Sequence, residues 1–96
     1  MSNRGDAVRL GVLRSKLGTM WDLGPAGRDR FVYCREVARQ GLPPDALDKL
    51  EARMRAQISE RLPKAVVEEK GERRERITRG AAYVKVMVYF KLERSK

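Results

Sequence analysis

The sequence predicts an α+β domain in which three N-terminal helices precede a C-terminal β-hairpin or small antiparallel sheet. Three observations lead there. Leu47, Leu50, Met54, Ile58 and Leu62 recur at helical spacing. Val84, Val86, Val88, Phe90 and Leu92 alternate strictly with Tyr83, Lys85, Met87, Tyr89 and Lys91, the period of a half-buried strand. Gly24-Pro25 and Gly41-Leu42-Pro43-Pro44 punctuate the chain between them. With 96 residues the chain has the length of one domain, read as 1–96 with a loose start at 1–5, a helical part over 6–62 and a hairpin part over 64–93.

The first helix is expected over about 6–17, with Asp6 as N-cap and Leu10, Leu13 and Leu17 on one stripe; Val8, Leu10 and Val12 also alternate as a strand would. Trp21 is read either as a cover for the core or as an exposed partner anchor. A second helix is expected over about 27–40, because Phe31, Cys34, Val37 and Ala38 share a stripe that leaves Arg28, Arg30, Arg35 and Arg39 in solvent. On that stripe Cys34 reads as a small buried hydrophobe. The third helix, over about 44–61, follows the two prolines, places Asp45, Asp48 and Glu51 early and Arg53, Arg55 and Arg61 late, and stops at Pro63.

A helix through Ile77, Ala81, Val84 and Val88 would scatter Val86, Met87 and Phe90, so the C-terminal segment is read as a strand. Its expected partner is Ala65-Val66-Val67, with Lys70-Gly71 and Arg79-Gly80 as turn signals. The charged stretch Glu68–Arg79 is either a hairpin tip or a polar edge strand. Helices followed by a hairpin also give the element order of a winged-helix domain, and Val37–Met54 has the spacing of a helix-turn-helix. In that arrangement Lys49 and Arg53 are the helix contacts to duplex DNA, although Asp45 and Asp48 would repel phosphate there.

Charge narrows the partner. The chain carries 22 Lys plus Arg against 13 Asp plus Glu, a net of +9, and ten of the basic residues follow Pro63. A field of that sign attracts a polyanion, with nucleic acid, DNA or RNA, as the first expectation and an acidic protein surface as the second. No apolar run approaches the roughly 18 residues of a membrane span, so no membrane partner is expected. The charged start from Met1 to Val12 gives no expectation of a signal peptide, and the single cysteine points to a reducing compartment, the cytoplasm.

No histidine is present, and no metal-spaced cluster or glycine-rich phosphate loop is found, so neither catalysis nor a metal or other cofactor is expected. The expected site is instead a binding surface. Tyr83, Lys85, Met87, Tyr89 and Lys91 share one strand face, where rings stack on bases and lysines hold phosphates. Arg73, Arg74, Arg76 and Arg79 extend its charge. The same face suits a protein partner, as accessory subunit or inhibitor, because Tyr, Met and Arg anchor interfaces. The edge strand could also pair with a second copy to give a homo-oligomer.

Overall fold

A computed structural model describes residues 4–17, 22–27 and 29–92. The order is α1 (Arg4–Leu17), β1 (Asp22–Gly27), β2 (Arg30–Ala38), α2 (Ala46–Arg61), β3 (Ala65–Val67), β4 (Glu72–Thr78) and β5 (Ala81–Leu92). The expected architecture is therefore corrected. There are two helices among the described residues, not three, and the sheet has five antiparallel strands. Trp21 lies outside the described residues.

The correction falls on the segment expected as a helix over 27–40, which is the β1–β2 hairpin. Phe31 and Tyr33 are buried together on one side of β2, with Val37 half-buried further along, so the segment obeys a period of two that Arg35 interrupts. What decides between the two periods is β5. Its twelve residues form a central strand, hydrogen-bonded to β2 on one side and to β3 and β4 on the other. Nine consecutive β2–β5 pairs run from Arg30↔Lys91 to Ala38↔Tyr83. A helix over 27–40 would leave that edge of an apolar strand unpaired. The helix-turn-helix and winged-helix readings fall with it, because a strand, not a helix, precedes α2, and the grounds for Lys49 and Arg53 as duplex contacts go too. Lys49 pairs instead with Asp45 at 3.0 Å along its own helix.

The helix expected over 44–61 is α2. The chain enters it through Gly41, whose φ of 78° reverses the direction, and through the two prolines. Leu50, Met54 and Ile58 form its buried stripe. The Leu62 amide closes the last turn on the Ile58 carbonyl at 2.7 Å, and Pro63 prevents a further one. Both helices supply side chains to one core. Leu13 and Leu17 of α1 and the α2 stripe meet Leu23, Phe31, Tyr33, Val86, Val88 and Phe90 from the sheet, with Leu47 and Val37 at the margin. The Phe31 and Phe90 rings stack with centroids 5.7 Å apart. Within this core the Tyr33 hydroxyl donates to Gln57 Oε1 at 3.1 Å, and Gln57 Nε2 donates to the Leu17 carbonyl at 3.3 Å, so one relay ties β2, α2 and α1 together. Burial raises the Tyr33 hydroxyl well above the ordinary tyrosine value, which keeps it a donor.

β3 and β4 lie along the same edge of β5. Val67 pairs with Phe90 and Glu72 with Met87, so four residues on the β3–β4 side stand against two on β5. Lys70-Gly71 thus belongs to a bulge, not a turn, and the charged stretch after it is an edge strand. Gly71 is required at the bulge, since a Cβ there would stand 2.7 Å from the Met87 carbonyl oxygen. The hairpin turn is Arg79-Gly80, with φ of 51° and 77°, the geometry of a type I′ turn. No described helix is long and apolar enough to cross a membrane.

Candidate functional site

Because α1 and α2 contribute to the core on one side of the sheet, the other side carries no helix among the described residues. The β5 alternation assigns its faces. Val84, Val86, Val88 and Phe90 are buried on the helix side, and Tyr83, Lys85, Met87, Tyr89 and Lys91 share the outer side. Register places Arg30, Val32, Cys34, Glu36 and Ala38 of β2 beside them on one flank. Val66 of β3 and Glu72, Arg74 and Arg76 of β4 lie on the other. Cys34 is therefore half-buried on the outer face, opposite Met87, rather than on a helical core stripe.

Two Glu–Arg–Tyr assemblies organise this face, one toward each end of β5. In the first, Arg30 donates to both carboxylate oxygens of Glu68, at 2.7 and 2.8 Å, and its guanidinium lies 4.1 Å from the centre of the Tyr89 ring. In the second, Arg76 donates to both oxygens of Glu36, at 3.1 and 2.7 Å, and lies 5.4 Å from the centre of the Tyr83 ring. A planar guanidinium held by a carboxylate fork and attracted to a ring face is a pre-organised unit. The Tyr89 hydroxyl also donates to Glu72 and lies 3.9 Å from the Met87 sulfur. The hydrogen bonds lower the carboxyls: Arg76 acts on Glu36, Arg30 on Glu68 and Tyr89 on Glu72.

The four hairpin arginines divide. Arg73, on the helix side, reaches Asp48 at 2.7 Å and Glu51 at 3.3 Å and tethers β4 to α2. Arg76 is committed to Glu36 and Tyr83. Arg74 has only a 3.5 Å approach to Glu72, with most of its side chain in solvent. Arg79 sits at the exposed hairpin tip and enters no ion pair among the described residues. Lys85 and Lys91 likewise enter none, although both are near enough to lower Glu36 and Glu68 respectively. A shallow depression of about 260 Å³ lies where Glu36, Arg74, Glu75, Arg76, Lys85 and Met87 meet. It offers three cations, two carboxylates and the apolar Met87 side chain.

Arg30, Glu36 and Glu68 join this face only through the fold. The partners in each assembly lie 38 and 40 residues apart, and no local spacing signals them. Among the described residues no group of three or more His, Cys, Asp or Glu side chains stands together to hold a metal ion. Comparison with protein families, curated proteins and solved structures finds no match.

Proposed function

We propose that the chain is a non-catalytic nucleic-acid-binding protein that takes a single strand across the outer face of its sheet. The observation that carries this reading is the pair of lysines, Lys85 and Lys91. They alternate with the two arginine-covered tyrosines, Lys85 between Tyr83 and Tyr89 and Lys91 beyond Tyr89, on a face that neither helix covers. Phosphates would run along Lys91, Lys85, Arg74 and Arg79. Bases would stack on the solvent sides of the Arg30 and Arg76 guanidinium planes, whose backs rest on Tyr89 and Tyr83, since guanidinium planes stack on bases as aromatic rings do. The tyrosines then act through the arginines rather than by direct contact.

The conformation of Arg79 gives independent support. A left-handed φ of 51° disfavours a side chain with a Cβ, and the turn suits Asn or Gly better. A long cation in a strained position at an exposed tip is consistent with a binding role.

A second reading is favoured by the ion pairing itself. Glu36, Glu68 and Glu72 alternate with the basic residues of the face, a mixed-sign pattern that complements a protein surface better than a uniform row of phosphates.

The distinguishing experiment is fluorescence anisotropy with single-stranded oligonucleotides over a salt series. The nucleic-acid reading expects a linear fall of log affinity with log salt. Lys85→Ala and Lys91→Ala should each flatten the slope by about 0.7, the value for one phosphate that is no longer neutralised. Weaker binding with no change in slope from either substitution, or no binding outside very low salt, overturns it in favour of a protein partner.

A further inference from the structure

We propose that the chain pairs with a second copy of itself through β4, antiparallel, about a twofold axis passing between the two Arg74 residues. The inference is independent of the ligand and rests on the two edges of the sheet. The β1 edge is guarded. It carries Gly24 and Pro25, and its register with β2 shifts between Pro25 and Gly27. Proline and irregular register both block the addition of a further strand. On the opposite edge the bulge ends at Gly71, and β4 itself has neither device. It pairs with β5 alone, runs for seven residues without Gly or Pro, and every one of them is exposed.

The charges of β4 select both the partner and the register. The strand reads Glu72-Arg73-Arg74-Glu75-Arg76 before Ile77 and Thr78. Centred on Arg74, a second copy sets Glu72 against Arg76 and Arg73 against Glu75, and the symmetry repeats both pairs. Opposed residues share a face, so the Glu72–Arg76 pairs lie on the outer side and the Arg73–Glu75 pairs on the helix side. The competing registers are worse. The Arg74-centred register opposes one like-charged pair, Arg74 to itself, against four Glu–Arg pairs, whereas centred on Glu75 the strand opposes Glu75 to itself and Arg74 to Arg76 and forms no Glu–Arg pair. Centred between Arg73 and Arg74, it opposes Glu72 to Glu75 and arginine to arginine. A strand built to repel copies of itself would carry one sign of charge; this one is self-complementary.

The intramolecular partners do not prevent the pairing. All four residues already have partners: Arg73 reaches Asp48 and Glu51 through one terminal nitrogen, Arg76 holds Glu36, Glu72 accepts from Tyr89 and Glu75 from Arg39. A guanidinium carries more N–H donors and a carboxylate more lone pairs than these contacts use, so each can add a bond to a second copy. The axis stands perpendicular to the joined sheet, so both outer faces point the same way. The two copies form one ten-stranded sheet with all four helices on the far side. The paired Arg74 side chains then stand side by side at its centre.

Sedimentation velocity across the micromolar range should give a mass that rises to that of a dimer with concentration. Glu75→Arg alone and Arg73→Glu alone should remain monomeric, and their equimolar mixture should recover the dimer, because each supplies the charge the other lacks. A register test does not depend on the ion pairs. In a Cys34→Ser background, Arg74→Cys should form an intermolecular disulfide under mild oxidation, since directly opposed residues have Cα atoms about 4.5–5.5 Å apart. Ile77→Cys should not. A wild-type chain that stays monomeric overturns the proposal. So do single reversals that dimerise as the wild type does, and equal cross-linking of the two cysteine variants.

Discussion

The Arg55 guanidinium donates to the Glu69 carbonyl at 2.7 Å. It donates to the Glu68 carbonyl as well, and its Nε holds Glu51 at 3.1 Å on the same helix. One side chain of α2 thus holds the backbone of the bulge where β3 gives way to β4. Glu68 and Glu69 fall between the β3 and β4 registers with β5; the Glu68 amide still donates to the Tyr89 carbonyl at 2.9 Å, and the fork takes up the two carbonyls. Arg55→Ala should lower stability by about 1–3 kcal/mol in denaturant unfolding. Amides of β4 should exchange faster in hydrogen exchange while those of β2 stay protected. Uniform acceleration across the sheet would contradict a local role.

Gly71→Ala tests the same junction from the other side. The added methyl meets the Met87 carbonyl oxygen at 2.7 Å, and that oxygen belongs to the central strand. Either β4 moves outward or β5 bends, at a cost of about 1–3 kcal/mol. Equilibrium unfolding should register the loss; a neutral result would mean that the close approach relaxes freely.

Arg79→Asn separates stability from binding. Asparagine tolerates the left-handed conformation, and Asn-Gly is the preferred pair for this turn. The variant should gain about 0.5–1 kcal/mol, since the present residue bears part of the penalty for left-handed backbone. It should also lose salt-dependent affinity for single strands. A variant both more stable and unchanged in binding would remove Arg79 from the interface.

Acid should loosen the outer face before the core. Glu36, Glu68 and Glu72 titrate below the ordinary carboxylate value in the folded chain, held there by hydrogen bonds from Arg76, Arg30 and Tyr89. A carboxyl lowered on folding contributes stability above its unfolded value, and the contribution is lost as pH falls through the folded one. The melting temperature should therefore decline on acidification through and below the normal carboxylate range. Glu68→Gln should make that decline shallower. An identical pH profile in the variant would show that the Arg30–Glu68 pair does not contribute to it.

The sequence discloses what is periodic and local. The α2 stripe from Leu50 to Ile58 and the strict alternation of β5 are both visible, and with the latter the membership of the outer face. β2 hides because Arg35 sits where its inward row should continue, while Phe31, Cys34 and Val37 mimic a helical stripe. The twelve-residue length of β5 held a clue, since a central strand needs a neighbour on each side and Ala65–Val67 covers only one end. The two Glu–Arg–Tyr assemblies are invisible for another reason. Their members converge only once β2, β4 and β5 are in register, so net charge overstates the free cations. Arg73 and Arg76, the β4 arginines that reach α2 and β2, are already neutralised by carboxylates.

The junction at Glu69–Gly71 behaves like a reading frame. Its surplus over β5 is two residues, an even number, so the in-and-out order of side chains passes through it unbroken. Deleting one residue there would invert everything as far as Thr78. Arg73 and Glu75 would swing outward, and Glu72, Arg74 and Arg76 would turn toward the helix side, where Asp48 and Glu51 would meet Glu72. Deleting two would leave each side chain on its present face. Length variation at this point in natural variants of the chain should therefore come in steps of two.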